Sequence, residues 1–269
     1  MDFRVIRNSL LAQGYTTQKA NAKIAHDVVL NAIKAAGFHD NVTVKGGVVM
    51  SGLTDTVRRA TIDMDVDFLG YSIDNASVGR FIRKLNRYAG CEVKIAGAIQ
   101  ELRQQEYRGK RIHLVLTDEN GVSVRTKVDI GVQANQDIRQ VDFAFKVVTT
   151  SRAVKLLVNT REQIFVEKLK SLLRIGIVST RYKDIYDMYY LCSRLRKRVL
   201  RQYLRTYVFE DRKMFENDIG DVVKRLERVF ANKTFIRRMA NPNYAWLDVS
   251  PEVVTEAITS FLSSLGNHQ

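Results

Sequence analysis

The feature that most constrains the fold is a short stretch in which acidic and apolar side chains alternate, IDMDVDF at residues 62–68. A period of two predicts a β-strand, because successive side chains of a strand point to opposite faces of a sheet. One face of this strand is apolar and belongs against a core, whereas the other carries Asp63, Asp65 and Asp67. Aspartate is disfavoured in strands, and like charges on one face repel each other. The chain must therefore form a sheet whose acidic face has a purpose or a partner.

Two explanations of this acidic face are open. With a further carboxylate from a neighbouring strand it could bind Mg²⁺ (or Mn²⁺), which prefers oxygen ligands and commonly also binds substrate phosphates. Asp129, on the polar face of the strand VSVRTKVDIGV, is the candidate for the third ligand. Without a cation, the cluster is expected to repel itself and take up protons. The alternative is an edge strand with a solvated acidic face, because edge strands often carry charge.

The chain is mixed α/β first and helical afterwards. The predicted elements are a helix at 17–36, a strand at 42–45, a helix after Gly46-Gly47, the acidic strand at about 61–69, a helix at 76–89 and β-structure over 91–131. Within the last stretch, the turn DENG between two apolar-alternating arms indicates a hairpin. From about residue 150 the pattern becomes helical to the end. We therefore expect a mixed sheet with helices in a domain 1–150, followed by an all-helical domain 151–269.

The Gly46-Gly47 pair lies between a strand and a helix, shortly before the acidic strand. Glycine lets a backbone approach phosphate closely, and the N-terminus of a helix presents free N–H groups to anions. A Gly-Gly pair alone is more often a simple turn. Its significance here comes from the nearby carboxylates.

The helix predicted at 160–176 carries a lysine on its apolar side. Thr160 and Gln163 are suited to cap its start. Lys168 falls between Phe165 and Leu172 in the apolar arc, so it must either extend to solvent or meet an anion. Lys170 falls on the polar side and is expected to be a solvated charge.

The helix predicted at 180–195 places Asp184 in its buried stripe and Asp187 at the edge of that stripe. A buried aspartate needs a partner. It could hold a lysine, accept a hydrogen bond from a nucleotide, or cap the start of the helix.

The net charge of +14 is unevenly distributed. Residues 1–150 carry 21 Lys/Arg against 16 Asp/Glu, whereas residues 151–269 carry 22 against 13. A band from Arg152 to Lys213 is the most basic part, and such a band attracts polyanions such as nucleic acid. Within it, the candidates for contacts with RNA are Arg194, Arg196, Lys197 and Arg198. A solvated basic surface is the alternative.

Composition excludes several other classes of protein. No apolar run approaches the roughly 18 residues of a membrane span, and the first residues lack the pattern of a signal peptide. The chain has 2 cysteines, too few for a disulfide framework or a cysteine metal site. Its histidines show no spacing typical of metal ligands. We therefore expect a cytoplasmic protein that makes no use of a membrane.

Four motifs taken together resemble the AbiEii/AbiGii toxin family of nucleotidyltransferases. They are, in order, KGGVVMSGL, RRATIDMDVDF, KVDIGV and EKLKSLLRIGIVSTRYKDIYDMYYL, and they span roughly residues 40–192. The family consists of bacterial toxins of toxin–antitoxin and phage-defence operons, related to the MenT toxins. The resemblance implies a nucleotidyltransferase-type α/β domain and a helical C-terminal domain that completes the site for a nucleoside triphosphate (NTP) and carries the basic RNA-binding band. It also implies Mg²⁺ (or Mn²⁺) as cofactor.

The resemblance also assigns roles to individual residues. The matching positions are Gly46 and Gly47 of the phosphate loop, Arg59 and Thr61 before the acidic pair, Asp63, Asp65 and Asp129 as metal ligands, and Lys168 and Asp184 of the C-terminal motifs, with Asp187 beside them at the nucleotide. The role of Asp67 is open. At the position of Gly47 many nucleotidyltransferases have serine, so its hydroxyl contact to phosphate is absent here.

The function that the resemblance implies is transfer of a nucleotide from NTP–Mg²⁺ to an acceptor hydroxyl, foremost the 3′ end of tRNA, which would block translation. The alternatives are nucleotide addition to a protein side chain and an NTP-binding toxin that acts without transfer. A cognate antitoxin from the same operon is a further expected partner, and whether it contacts this chain directly is left open.

Overall fold

The computed structural model of the chain describes residues 1–102, 109–133 and 140–266. The chain divides into two units, Met1–Asn159 and Thr160–Gln269. Within the stretch predicted as β-structure, residues 103–108 lie outside the described residues.

The first unit is a mixed α/β structure, as predicted. Its helices are α1 (Phe3–Ala12), α2 (Thr17–Ala35), α3 (Gly46–Thr54) and α4 (Asn75–Asn86), with a 3₁₀ turn at Val57–Arg59. Its strands are β1 (Val42–Lys45), β2 (Asp63–Phe68), β3 (Glu92–Ile95), β4 (Gln100–Leu102), β5 (Gly109–Thr117), β6 (Ser123–Val132), β7 (Val141–Phe145) and β8 (Val154–Val158).

These strands form a single sheet in the order β3-β5-β6-β2-β1-β8-β7, with β4 paired to β5. The acidic strand β2 lies inside this sheet, parallel to β6 on one side and antiparallel to β1 on the other. The explanation of the acidic face as an edge strand is therefore wrong. Both edges of β2 are occupied, so its carboxylates do not serve to protect an open edge.

The apolar side of β2 belongs to the core, which explains why this strand tolerates its acids. Met64 and Phe68 are fully buried. The ring of Phe68 packs edge-on against Phe81 of α4, with 5.0 Å between ring centroids. On the next strand, the even positions Val128 and Ile130 are also buried. Burial of the even positions leaves Asp63, Asp65 and Asp129 together on the opposite face.

Two elements differ from the sequence predictions. Helix α1 was not predicted. The expectation of a purely helical chain from about residue 150 is wrong for residues 154–158, which form strand β8. β8 pairs with β1 in parallel and with β7 in antiparallel orientation, and its Leu156 and Val158 are buried. Packing in the sheet decides the structure of this short run, which has no helical period of its own.

The second unit is helical, as predicted. It contains α5 (Arg161–Ile175), α6 (Tyr182–Cys192), α7 (Lys197–Leu204), α8 (Ile219–Phe230), α9 (Lys233–Met239) and α10 (Pro251–Gly266), with a 3₁₀ turn at Gly176–Val178 and a π turn at Arg205–Phe209. The hydroxyl of Thr160 accepts a hydrogen bond from the N–H of Gln163 at 3.2 Å and caps α5, as predicted. No helix in the described part of the chain combines the length and the apolar character needed to cross a membrane.

Candidate active site

The phosphate-loop candidate is the junction at which β1 ends and α3 begins. Gly46 is the first residue of α3, and its φ of +61° lies in the left-handed region that favours glycine. A Cβ at this position would also collide with the carboxylate of Asp65. The backbone of Gly46 therefore lies directly against one of the predicted metal ligands, and any side chain would separate the two.

Gly47 is crowded by Thr61. A Cβ at position 47 would lie only 2.6 Å from Oγ1 and 2.9 Å from Cβ of Thr61. This crowding explains why glycine stands where many nucleotidyltransferases have serine. The hydroxyl of Thr61 occupies the space in which a serine side chain would begin.

The acidic trio, Asp63, Asp65 and Asp129, is brought together by the pairing of two parallel strands. Asp65 and Asp129 are directly opposite each other in the register of β2 and β6. Asp63 is opposite Lys127 in the same register. The sheet thus places all three predicted ligands on one polar face.

Asp67 differs from the trio although it shares the face of β2. Its side chain is buried, and Lys45 lies 2.9 Å from its Oδ2. Asp67 therefore completes a partly buried ion pair between β1 and β2, which gives this residue a structural contact.

Two members of the trio have cationic partners on the same sheet face. Lys127 Nζ lies 3.0 Å from Asp63 Oδ1. Arg111 binds Asp129 through two hydrogen bonds, from Nε at 2.7 Å and from Nη2 at 2.8 Å. The hydrogen bond and charge of Asp129 raise the pKa of the Arg111 guanidinium. The expectation of an acidic cluster that repels itself is wrong, because neighbouring strands supply the compensating charges.

Arg111 and Lys127 were missed as site residues. They alternate with apolar residues on β5 and β6, and the hairpin register places Arg111 opposite Asp129. The signal for them was present in the predicted hairpin, whose polar face includes Lys127 and Asp129. The parallel pairing of β2 with β6, however, could not be read from the sequence.

The acidic trio has the right chemistry for Mg²⁺ but is not closed into a cage. Carboxylate oxygens are the ligands that Mg²⁺ prefers, and the strand register places the three groups side by side. In the parts of the chain that the structure describes, no group of three or more His, Cys, Asp or Glu side chains could hold a metal ion as they stand. The donor set fits the ion, whereas the present side-chain directions follow Arg111 and Lys127 instead.

A cavity of about 260 Å³ adjoins this region, on the side of Thr61. Its walls come from α2, α3 and β7, and include His26 and Asp27. Burial, with a contribution from Lys23, lowers the pKa of His26 to about 4, although the Ile62 carbonyl and Asp63 oppose this shift.

Arg59, a predicted nucleotide-binding residue, is also buried in the first unit. Burial, together with the charge of Arg59, lowers the pKa of Lys19.

In the second unit, Lys168 meets anions rather than solvent. The lysine is buried, and it forms ion pairs with Asp184 and, at 3.0 Å, with Asp187. Arg181 Nε also lies 2.5 Å from Asp184 Oδ2. Burial alone would raise the pKa of Asp184, but the charges of Lys168 and Arg181 outweigh it and lower the pKa to about 2. The four charges form one ionic cluster between α5 and the start of α6.

Two sequence expectations about this helix pair are wrong. Asp187, placed at the edge of the buried stripe, has a side chain that is 0% exposed, whereas that of Asp184 is 13% exposed. Asp187 turns inward because Lys168 provides its counter-charge there. Lys170, expected to be solvated, is only 13% exposed and lies 2.6 Å from Asp211. The loop before α8 covers it.

The basic band is partly occupied by contacts within the second unit. Arg196 binds the buried carboxylate of Glu162. The guanidinium of Arg194 lies over the ring of Tyr190, 4.0 Å from its centroid. Lys197 donates to the hydroxyl of Ser264. Arg198 is exposed. Of the predicted RNA-binding residues, Arg196 contributes most to the fold, because its carboxylate partner is buried.

The comparison with protein families agrees with the sequence motifs. The family model of the nucleotidyl transferase AbiEii toxin, of type IV toxin–antitoxin systems, matches residues 28–245. A search of curated proteins gave no match. Among solved structures, the chain is similar to an antigenic nucleotidyltransferase-like protein from Paracoccidioides brasiliensis, with 13% sequence identity, a TM-score of 0.43, and coverage of 80% of this chain and 92% of that chain. The family match includes all the predicted site residues, from Gly46 to Arg198.

Proposed function

Because the chain belongs to the AbiEii family of nucleotidyl transferase toxins, we propose that it transfers a nucleotide from NTP–Mg²⁺ to an acceptor hydroxyl at the 3′ end of tRNA. Such a modification would block translation in the cytoplasm. A cognate antitoxin encoded beside the toxin is part of the same proposal.

The observation that carries this proposal is the placement of the acidic trio beside the start of α3. The carboxylate of Asp65 touches the backbone of Gly46, so a cation held by the trio would lie next to a triphosphate bound at this helix start. Bound Mg²⁺ would neutralise developing charge on the phosphates and activate the acceptor oxygen. Asp63, Asp65 and Asp129 are the residues that would hold it.

The chain's own groups supply the remaining parts of the phosphate site. The N–H groups at the start of α3 are available to an anion, and the absence of side chains at Gly46 and Gly47 would allow phosphate to approach them. The hydroxyl of Thr61 fills the space beside Gly47, and we expect it to supply the contact that serine makes in many nucleotidyltransferases.

Lys168 is the proposed cationic contact to nucleotide in the second unit. Asp187 and Asp184 hold its ammonium group in one place, so little side-chain entropy remains to be lost on binding. The two aspartates therefore act by positioning the lysine.

An RNA acceptor is supported by charge. The chain carries 43 Lys/Arg against 29 Asp/Glu, and Arg194, Lys197 and Arg198 are exposed on the second unit. A surface of this kind favours association with a phosphate backbone irrespective of its sequence.

A labelling experiment tests the proposal. The full chain is incubated with Mg²⁺, total RNA, cell protein and each of the four α-labelled NTPs in turn, beside an Asp65→Asn variant. Label on tRNA that depends on Asp65 is expected. Label on protein would establish the alternative acceptor, and NTP binding without any label would establish a toxin that acts without transfer.

A further inference from the structure

Ion pairs with cationic side chains engage two carboxylates of the acidic trio, those of Asp129 and Asp63. Arg111 engages both carboxylate oxygens of Asp129, and Lys127 lies 3.0 Å from one oxygen of Asp63. A bidentate guanidinium–carboxylate pair is among the stronger side-chain interactions. A divalent cation therefore competes with both partners for these carboxylates.

Both cations are anchored beside the site by the sheet itself. Arg111 lies on β5 between the buried residues Lys110 and Ile112, and Lys127 lies on β6 between Thr126 and Val128. Their backbone positions are therefore set by the core on the other face. Their side chains remain 32% and 27% exposed, respectively, so the charged ends can swing toward a ligand without unfolding the strands.

Displacement would leave two cations without these counter-ions on the sheet face that carries Asp65, whose carboxylate lies against Gly46. An arginine that binds a carboxylate through two parallel N–H groups has the geometry to bind a phosphate in the same way. A triphosphate arriving with the metal ion supplies the required negative oxygens at this place. The exchange conserves ion pairs, because the metal ion takes the carboxylates while the phosphates take the cations.

We propose that Arg111 and Lys127 are triphosphate-binding residues that exchange their carboxylate partners for phosphate oxygens when metal ion and nucleotide bind. This inference rests on the proposed nucleotidyl transfer and names residues that neither the motifs nor the family match assign. Its consequence is synergy. The metal ion alone binds weakly because it must break ion pairs, the nucleotide alone binds weakly because the cations are engaged, and each ligand assists the other.

Thermodynamic linkage requires this assistance to be reciprocal, and couplings in proteins typically amount to a factor of about 5 to 150. The test measures the dissociation constant of Mn²⁺ for the full chain by electron paramagnetic resonance, with and without an α,β-methylene NTP that cannot be cleaved. Four analogues that differ in their nucleobase are first compared by calorimetry with Mn²⁺ present, and the one that binds most tightly is used. The wild-type chain should bind Mn²⁺ at least about fivefold more tightly when the analogue is present.

Arg111→Gln and Lys127→Gln should each bind Mn²⁺ alone at least as tightly as the wild type does. The analogue should bind these variants more weakly, and the coupling factor should fall to within about twofold of one in the double variant. Arg111→Lys keeps the charge but loses the bidentate geometry, so it should give an intermediate coupling. This variant also keeps the test decisive if the glutamine variants fail to fold.

Arg125→Gln is the matched control. It removes one positive charge from the polar face of β6, two residues from Lys127, and its exposed side chain makes no ion pair among the described residues. Its coupling should equal that of the wild type. Wild-type coupling in the Arg111 and Lys127 variants, or an equal loss in Arg125→Gln, would overturn the inference while leaving nucleotidyl transfer intact. Absence of any nucleotide binding to the wild type would overturn the proposed function as well.

Discussion

Asp65 and Asp67 lie two residues apart on the same face of β2, yet they have different surroundings. Asp65 contacts the backbone of Gly46, whereas Asp67 is buried against Lys45. Position on a strand face therefore does not determine the role of a carboxylate in this chain. The contacts that each carboxylate makes allow the two roles to be separated experimentally.

Asp65→Asn should reduce nucleotide transfer by at least about 100-fold, in line with the loss of one preorganised electrostatic group, and leave stability nearly unchanged. Asp67→Asn should instead lower the free energy of unfolding by about 1–3 kcal/mol, because the partly buried ion pair with Lys45 is lost. Transfer assays and urea unfolding of both variants check this. An Asp67→Asn chain that is inactive but fully stable would contradict the distinction.

Lys168 is held by ion pairs with Asp184 and Asp187, so its replacement should destabilise the fold. Lys168→Met removes the ammonium group that lies 3.0 Å from the fully buried Asp187, while Asp184 keeps Arg181, so the free energy of unfolding should fall by about 3 kcal/mol. Adding Asp187→Asn should restore part of this loss. Urea unfolding of the single and double variants measures the effect.

A control substitution for Lys168 should remove a positive charge from α5 without breaking an ion pair. Lys170 is unsuitable because it pairs with Asp211. Arg174, exposed in the last turn of α5, is the better choice, and Arg174→Met should change stability by no more than about 0.5 kcal/mol. If the double variant regains stability but not activity, Lys168 acts on the nucleotide as proposed. If it regains both, its role is confined to the fold.

His26 gives the fold a dependence on pH. Burial lowers its pKa to about 4 from an ordinary 6.5, so between these values the unfolded chain binds the additional proton. The contribution of His26 is therefore complete above about pH 6.5 and is lost as the pH falls toward 4. The difference should amount to about 2 kcal/mol between pH 7 and pH 5.

This pH effect is measured as a difference between two chains. Urea unfolding of the wild type and of His26→Gln at both pH values cancels the titration of carboxylates that the two chains share. Equal losses of stability in the two chains would show that His26 is not the cause.

At the scale of elements, the start of α3 determines which side chains the phosphate loop accepts. Gly47→Ser would supply the hydroxyl that many nucleotidyltransferases have. We nevertheless expect it to lower the free energy of unfolding by about 1–3 kcal/mol through overpacking against Thr61. Thr61→Ala in the same chain removes the crowding Oγ1 and Cγ2 and should recover part of that loss. Additive effects in a double-mutant cycle would refute the crowding.

The sequence predicted elements well where a period was long and its ends were marked. The helices at α2, α4 and α5 and the hairpin of β5 and β6 follow from period and turn residues alone. Strand β8 did not, because its five residues show no clear period and depend on pairing with β1. The parallel pairing of β2 with β6 is also non-local. For this reason Asp129 was predicted from its polar face and the resemblance, whereas Arg111 and Lys127 were not found.

At the scale of the whole molecule, net charge predicts how the acceptor binds. RNA affinity should fall steeply as salt rises, because released counterions drive the association. Charge reversal of Arg194, Lys197 and Arg198 together should weaken RNA binding and lower the slope of log affinity against log salt by up to about 2, while NTP binding stays unchanged. Arg196 is excluded from this set because its partner Glu162 is buried.

Three basic residues on another helix provide a control for this charge reversal. Lys233, Arg237 and Arg238 are exposed on α9, and reversing these three changes the net charge equally. Filter binding of labelled tRNA at several salt concentrations measures both sets. An equal effect of the two sets would mean that overall charge, and not the predicted band, governs RNA binding.

The parallel pairing of β1 with β8 has a consequence for the folding of this protein during its synthesis on the ribosome. Thr43 and Leu157 are partners in the sheet, although more than a hundred residues of chain separate them. Domains form as their residues emerge, and pairings of such long range are slow because the intervening loop must close first. The strand that leads into the phosphate loop therefore keeps one open edge until the first unit is nearly synthesised. We therefore expect a chain that ends before β8 to leave this edge of β1 without its parallel partner.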